Sequence, residues 1–253
     1  MKILLTNDDG IKSRGLEALK RALEDSFKIV IVAPANEKSA SSHAISLGQK
    51  LRVEKIGGSK IAQYAVHGTP ADCVKFALSE LEDFTPDLII SGINQGANTG
   101  VSVYYSGTIS AAREGVINRI PSMAVSLCSK SSADFTVSAK VAKSLAEGCV
   151  LNPLPRNTML NVNVPALPHD KIKGIRVTKQ AASRFIEEFI REKEHQGKQV
   201  YSLAGEIELY DPDGKSDEEA VLEGFISVTP LRLDLTDYQV MPNLEQWVKR
   251  DLL

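Results

Sequence analysis

Residues 2–10 read Lys2-Ile3-Leu4-Leu5-Thr6-Asn7-Asp8-Asp9-Gly10, an aliphatic run of strand length that ends in two adjacent carboxylates and a glycine. A continuous apolar run closed by turn residues marks a strand covered on both faces, the kind that parallel sheets contain. Ile29 to Pro34, Leu88 to Ser91 and Ser122 to Leu127 have the same texture. Amphipathic stretches lie between them. Leu16, Leu19 and Leu23 share one helical face after Arg14, as do Val74, Leu78 and Leu81 after Pro70, and Val137, Val141 and Leu145 after Thr136. This β-α-β-α order predicts an α/β fold with a doubly wound, mostly parallel sheet. Thr69, Pro70 and Asp72 predict a capped helix start, which is a sufficient structural reason for the His67-Gly68-Thr69-Pro70 turn.

The texture changes from about Arg176. Ser183 to Gln199 is dense in charge, Tyr201 to Tyr210 alternates like a strand, and Asp211 to Glu219 is acidic and turn-rich. We therefore expect a core over residues 1–178 and an extension over 179–253. Asp211-Pro212-Asp213-Gly214 lacks the third ligand and the glycine spacing of a calcium loop and reads as a solvated turn.

The chain has 253 residues, 43% of them hydrophobic and 25% charged, which is ordinary globular composition. A formal charge of −2 argues against a broad basic surface for long nucleic acids but leaves room for a small anionic substrate. Cys73, Cys128 and Cys149 are odd in number, widely spaced and set in apolar stretches, so they predict free buried thiols and a reducing compartment. Neither a secretory signal nor a run of membrane-spanning length is visible. A cytoplasmic protein without a membrane partner is the expectation.

In a doubly wound sheet, ligands bind beyond the carboxyl ends of the strands. Three loops there carry chemistry. In Thr6 to Gly10 the repulsion between Asp8 and Asp9 is relieved by a divalent cation, and oxygen-only ligands suit Mg²⁺ or Mn²⁺ rather than zinc. The alternative is that Asn, Asp and Gly simply make a turn. The second loop, Asn36 to His43, offers hydroxyls, Lys38 for a phosphate and the His43 imidazole, although Ser-rich loops are commonplace. The third runs from Ser91 through Asn94, Asn98 and Gly100 to Ser106-Gly107-Thr108, where a helix begins. Hydroxyls and unpaired N–H groups at a helix start suit a phosphate, and Ser106 or Thr108 also suits ordinary N-capping. Together the loops supply paired carboxylates, hydroxyls, amides and an anion site at one sheet edge, a combination that points to metal-assisted phosphate chemistry.

These residues, with Gly68 to Val74, Leu160 to Pro165 and Ser227 to Leu231, closely resemble the motifs of the SurE family of metal-dependent 5′/3′-nucleotidases, in that family's order and over nearly the whole chain. The resemblance implies a Rossmann-like core and one divalent ion per subunit, Mg²⁺ or Mn²⁺ with Co²⁺ as a further option, held by Asp8, Asp9, Ser39 and Asn94. It implies hydrolysis of nucleoside 5′- and 3′-monophosphates, with short polyphosphate or oligonucleotide ends as further substrates. It also implies a homodimer or homotetramer built by exchange of C-terminal segments, so that the extension would comprise a β-hairpin, a returning strand and a terminal helix near Trp247.

Ala97 stands where the family usually has proline and Ser102 where an acidic residue is common. Asp234 matches one member of a C-terminal Asp and His pair, but Tyr238 replaces the His, so no catalytic role is carried onto either. In the expected reaction, water activated at the ion attacks phosphorus. Asp9 orients that water or takes its proton, and Asn98, Ser106, Gly107 and Thr108 hold the phosphate oxygens, with Asp9, Asn98 and Ser106 as the catalytic set. Two other classes compete with this reading. One is a receiver-like phospho-accepting domain, disfavoured because the third strand ends in Ser91-Gly92 rather than an acceptor aspartate. The other is a non-catalytic nucleotide or metal sensor.

Overall fold

The elements follow in the order β1 (Lys2–Thr6), α1 (Arg14–Leu23), β2 (Lys28–Pro34), β3 (Val53–Ile56), β4 (Ala62–Val66), α2 (Pro70–Glu80), β5 (Leu88–Gln95), a 3₁₀ turn (Gly100–Tyr104), α3 (Gly107–Ile117), β6 (Ser122–Cys128), α4 (Thr136–Leu151) and β7 (Thr158–Pro165). After a second 3₁₀ turn come β8 (Ile175–Val177), β9 (Ser183–Arg191), β10 (Tyr201–Leu209), α5 (Asp217–Leu222), β11 (Ile226–Arg232) and α6 (Met241–Asp251). This is a computed structural model, and the residues it describes are 1–58, 60–129, 131, 134–192, 197–210 and 213–251.

Nine strands form one sheet in the order β3-β4-β2-β1-β5-β6-β7-β11-β8. From β4 to β7 every neighbouring pair is parallel. β3 and β11 run antiparallel to β4 and β7. The chain leaves β1 toward β2 on one side and later returns to place β5 on the other. The strand order therefore reverses between β1 and β5, which opens a crevice at their carboxyl ends.

Side-chain alternation explains the two covered faces. Ile3 and Leu5 of β1 pack with Leu16, Leu19 and Leu23 of α1 and with Ala139, Ala142 and Ala146 of α4. Leu4, pointing the other way, packs with Cys73, Val74 and Ala77 of α2 and with Ala111 of α3. Helices on both faces bury both sides of the central strands, which is why those strands are mostly apolar and lack an alternating pattern. α2 begins with the expected capping box: the Thr69 hydroxyl accepts from Asp72 N, and the Asp72 carboxylate accepts from Thr69 N.

β5 is longer than its sequence suggests. Pairing with β6 breaks after Ser91 and resumes at Asn94 and Gln95, opposite Ser126 and Leu127. The fully buried Ile93 lies within that irregularity. The glycine interrupts the strand pattern without ending the strand, so part of the expected loop is sheet.

Sequence beyond residue 178 takes two courses. β11 enters the main sheet between β7 and β8, whereas β9 and β10 pair only with each other in a nine-residue antiparallel hairpin. Asp211 and Pro212 of the acidic turn lie outside the described residues. Asp213 pairs with Lys179 at 2.7 Å. Cys73 is buried, Cys128 and Cys149 are half-buried, and all three are free thiols. Burial pushes the Cys128 thiol up to about 12. Among the described residues no helix is long and apolar enough to cross a membrane.

Candidate active site

The crevice beyond β1 and β5 holds a cavity of about 930 Å³, lined on one side by Asp8, Asp9, Glu37, Ser39, Asn94, Asn98 and Ser106. The three loops singled out in the sequence thus meet at one rim. No Lys, Arg or His lines this cavity among the described residues. Lys38 is absent from the wall as a side chain, although its N–H donates to the Asp8 carbonyl at 2.7 Å.

Asp8 is almost fully buried. Its Oδ1 accepts a 2.5 Å hydrogen bond from the Thr108 hydroxyl. α3 begins hard against it: a Cβ on Gly107 would lie 2.8 Å from Asp8 Oδ2, so glycine is required for this approach. Burial raises the Asp8 carboxyl, and the hydroxyl and N–H of Thr108 offset that rise only in part. Burial, and then the charge of Asp8, raise the Asp9 carboxyl to about 6. Glu37 adds to both. A buried and a half-buried carboxylate that repel each other, on a wall with no basic side chain among the described residues, fit a divalent cation. Ser39 and Asn94 line the same cavity and add a hydroxyl and an amide to it. The Ser39 hydroxyl donates to Glu37 Oε1 at 2.6 Å, and Asn94 Nδ2 donates to Gly96 O at 2.8 Å.

Ser106 is the N-cap of α3, its hydroxyl accepting from Ile109 N at 3.1 Å. Asn98 is held by its own peptide. Its N–H donates to Asn163 Oδ1 at 2.9 Å, and its carbonyl accepts from Asn161 Nδ2 at 2.7 Å and Asn163 Nδ2 at 3.2 Å. The Asn98 side chain donates to the Ser126 hydroxyl at 2.9 Å. One amide hydrogen of Asn98 is therefore committed, and the residue lines the cavity.

The structure brings Asp8, Asp9, Ser39, Asn94, Asn98 and Ser106 to the cavity wall but not Gly107 or Thr108, which are buried behind it. Thr108 turns both its donors on Asp8, so its direct hydroxyl contact with phosphate, expected from sequence, gives way to a role in holding that carboxylate. His43 is also off the wall. Its Nε2 contacts Glu114 Oε2 at 2.9 Å, and Glu114, 2% exposed, also accepts from Lys75 and Asn118. Ser42, Ala44 and Ser46 are bonded in turn to Tyr104 and Tyr105 carbonyls, to Thr69 and to Asp72. The second loop is thus clasped onto α2 and α3. Asp234 accepts a short hydrogen bond from the Tyr238 hydroxyl, outside the cavity.

Sequence reasoning missed Glu37, Ser126 and the hairpin residues Phe185, Glu187 and Leu203, which close the far side of the cavity. For Asn161 and Asn163 a signal existed: two amides at alternate positions of an apolar strand share one buried face.

The fold and the cavity define a doubly wound α/β protein with an acidic, oxygen-lined cavity at its topological switch point. The profile of the family described as Survival protein SurE matches residues 3–187. The chain is 46% identical over 250 residues to the 5′-nucleotidase SurE of Heliobacterium modesticaldum, covering 98% of this chain and 92% of that one. It is also 46% identical to the 5′-nucleotidase SurE of Symbiobacterium thermophilum, with 97% of each covered. The crystal structure of the SurE protein from Aquifex aeolicus superposes with a TM-score of 0.84 at 39% identity, over 98% of this chain and all of that one. The chain belongs to the SurE family.

Proposed function

We infer that the protein is a metal-dependent phosphoric monoester hydrolase that converts nucleoside monophosphates to nucleoside and phosphate. Its relatives are named 5′-nucleotidases. The observation that carries the reading is an acidic rim that bears no basic side chain among the described residues and is set against the start of α3. An anionic substrate can enter such a rim only with a cation.

Asp8, Asp9, Ser39 and Asn94 hold one divalent ion per subunit, Mg²⁺, Mn²⁺ or Co²⁺. When bound, such an ion would neutralise the acidic pair and lower the pKa of a water beside it. Thr108 fixes Asp8 in place. Asp9, the less buried aspartate, orients the attacking water or accepts its proton. The Ser106 hydroxyl and the Asn98 amide, both on the cavity wall, hold phosphate oxygens where negative charge grows in the transition state. The asparagine clamp on the Asn98 peptide keeps that donor aimed, which matters because a misplacement of about 1 Å lowers a rate about 10²-fold.

The 3′-monophosphates and short polyphosphate or oligonucleotide ends are further candidate substrates. Three free thiols suit a reducing cytoplasm. The exposed apolar side chains of the hairpin and α6 suit a homodimer or homotetramer. Incubation with AMP, GMP and a small phosphate monoester in Mn²⁺ or Mg²⁺ tests the activity. Catalytic release of phosphate that a chelator abolishes is expected. Undiminished turnover by Asp9→Asn would remove the metal assignment.

A further inference from the structure

The far wall of the cavity comes from a different part of the chain. Phe185 and Glu187 of β9 and Leu203 of β10 line it together with Val101 and Tyr105. Residues 185 and 187 share one face of their strand by its period of two. The antiparallel register sets Phe185 opposite Ile207 and Glu187 opposite Gly205. Gly205 has φ +155°, and a Cβ there would lie 2.8 Å from Phe185 Cζ, 2.9 Å from its Cε1 and 2.1 Å from the Ile186 carbonyl oxygen. The ring of Phe185 is thus laid across bare backbone of the partner strand, a bed that any side chain at 205 would destroy.

The two walls differ in chemistry. One carries oxygen donors around the acidic pair. The other is apolar except for Glu187 and the Tyr105 hydroxyl. Small-ligand sites occupy roughly 300–1,000 Å³, so a cavity of about 930 Å³ has room for far more than a phosphoryl group. The remainder of its occupant must offer apolar area and neutral hydrogen-bond donors, since Glu187 accepts and repels anions.

We propose that the β9–β10 hairpin is the nucleoside subsite. The Phe185 ring and the Leu203 side chain take the face of the base, and the Glu187 carboxylate accepts hydrogen bonds from the neutral N–H or O–H groups of the nucleoside while disfavouring a second phosphate. The proposal rests on the nucleotidase reading above and adds the residues that recognise the leaving nucleoside. Because every base has a π-face, contact with an aromatic ring binds without much choice among bases. Such contact is worth about 1–3 kcal/mol per base, or roughly 5- to 150-fold in affinity. Broad base tolerance follows, with discrimination directed at charge.

The test compares a nucleoside monophosphate with glycerol phosphate, which has no base, in the presence of Mn²⁺. Phe185→Ala is expected to lower the ratio of kcat/KM for the nucleotide over that for glycerol phosphate about tenfold, through KM. Phe185→Tyr, which keeps the ring, should hold the ratio within about twofold, and Leu203→Ala should lower it in the same sense as Phe185→Ala. Glu187→Gln is expected to tighten competitive inhibition by a nucleoside diphosphate about threefold or more, relative to the KM of the monophosphate. An unchanged ratio in Phe185→Ala, or an equal loss on both substrates, overturns the subsite. An unchanged diphosphate inhibition in Glu187→Gln overturns the part given to the carboxylate. No phosphate release from either substrate by the wild-type protein would remove the nucleotidase reading and this subsite together.

Discussion

Asp9 carries an electrostatic load that can be measured without substrate. Its carboxyl rises from an ordinary 3.8 to about 6 through burial and the neighbouring charge of Asp8. The native state therefore holds this proton more tightly than the unfolded chain, so the contribution to stability is full below 3.8 and is lost as pH rises through 6. The rise corresponds to about 3 kcal/mol. With chelator present, Asp9→Asn is expected to be more stable than wild type in urea unfolding at pH 7.5, by on the order of 2–3 kcal/mol, and to gain little at pH 4. With saturating Mn²⁺ the gap should close or reverse, because an ion that binds the native state stabilises it. Equal stabilities at pH 7.5 in chelator would show that the acidic pair carries no such repulsion. The adjacency of Asp8 and Asp9 was plain in the sequence, which offered both a cation and a simple turn as its reason. The direction of the Thr108 hydroxyl was not, since Thr108 lies 100 residues from Asp8 and only the docking of α3 against β1 brings them together. The same limit hid the clamp on Asn98. Asn161→Asp replaces an N–H donor facing the Asn98 carbonyl at 2.7 Å with an acceptor. We expect kcat to fall roughly 10²-fold while Mn²⁺ affinity, read by calorimetry, stays near that of wild type. A fall in metal affinity as large as the fall in kcat would place the clamp's effect in the ion site instead.

Among the elements, the central strands and α1, α2 and α4 were legible because each depends on a local period: continuous apolar runs for strands covered twice, spacing of three and four for helices. β5 was legible only to Ser91, since its extension to Gln95 depends on pairing with β6 across an irregularity. β11 had no local sign of belonging to the main sheet. Its place there depends on pairing across more than sixty residues of sequence, between Ser227 to Arg232 and Asn163 to Thr158 of β7. The clasp between the second loop and the helices was hidden for a similar reason, as it joins His43, Lys75 of α2 and Glu114 of α3. Burial alone would raise the Glu114 carboxyl, but hydrogen bonds from His43, Lys75 and Asn118, with the Lys75 charge, hold it down at about 2. A folded value below the ordinary 4.5 contributes stability above pH 4.5 that is lost as pH falls through 2. Glu114→Gln is therefore expected to destabilise the protein by about 2 kcal/mol at pH 7 and to flatten the stability profile between pH 4.5 and 2. Because the Ser42 N–H bonds to the Tyr105 carbonyl next to Ser106, its amide exchange should speed up in the same variant. Slow Ser42 exchange together with a full loss of stability would mean that Glu114 ties α2 to α3 without governing the loop.

At the scale of the whole molecule, the apolar surface outside the core decides what the chain does in solution. Ile186 and Ile190 lie on the hairpin face opposite Phe185 and Glu187, and both are exposed. On α6, Met241, Leu244 and Val248 follow a spacing of three and four and form an exposed apolar strip beside Trp247, which is 72% exposed. Contiguous apolar surface of this kind marks an interface. One face of the hairpin can thus line the cavity while the other meets a second copy of the chain. Trp247 is the sole tryptophan, so its emission reports cover of this strip alone. Diluting the wild-type protein is expected to shift that emission to the red as subunits part, in step with a fall in mass by analytical ultracentrifugation. Leu244→Glu places a charge within the strip and should give the red-shifted, lower-mass species at every concentration. A Trp247 emission that stays red and independent of concentration, in a protein sedimenting as a monomer throughout, would show that nothing covers α6 and would withdraw the assembly proposed for this extension.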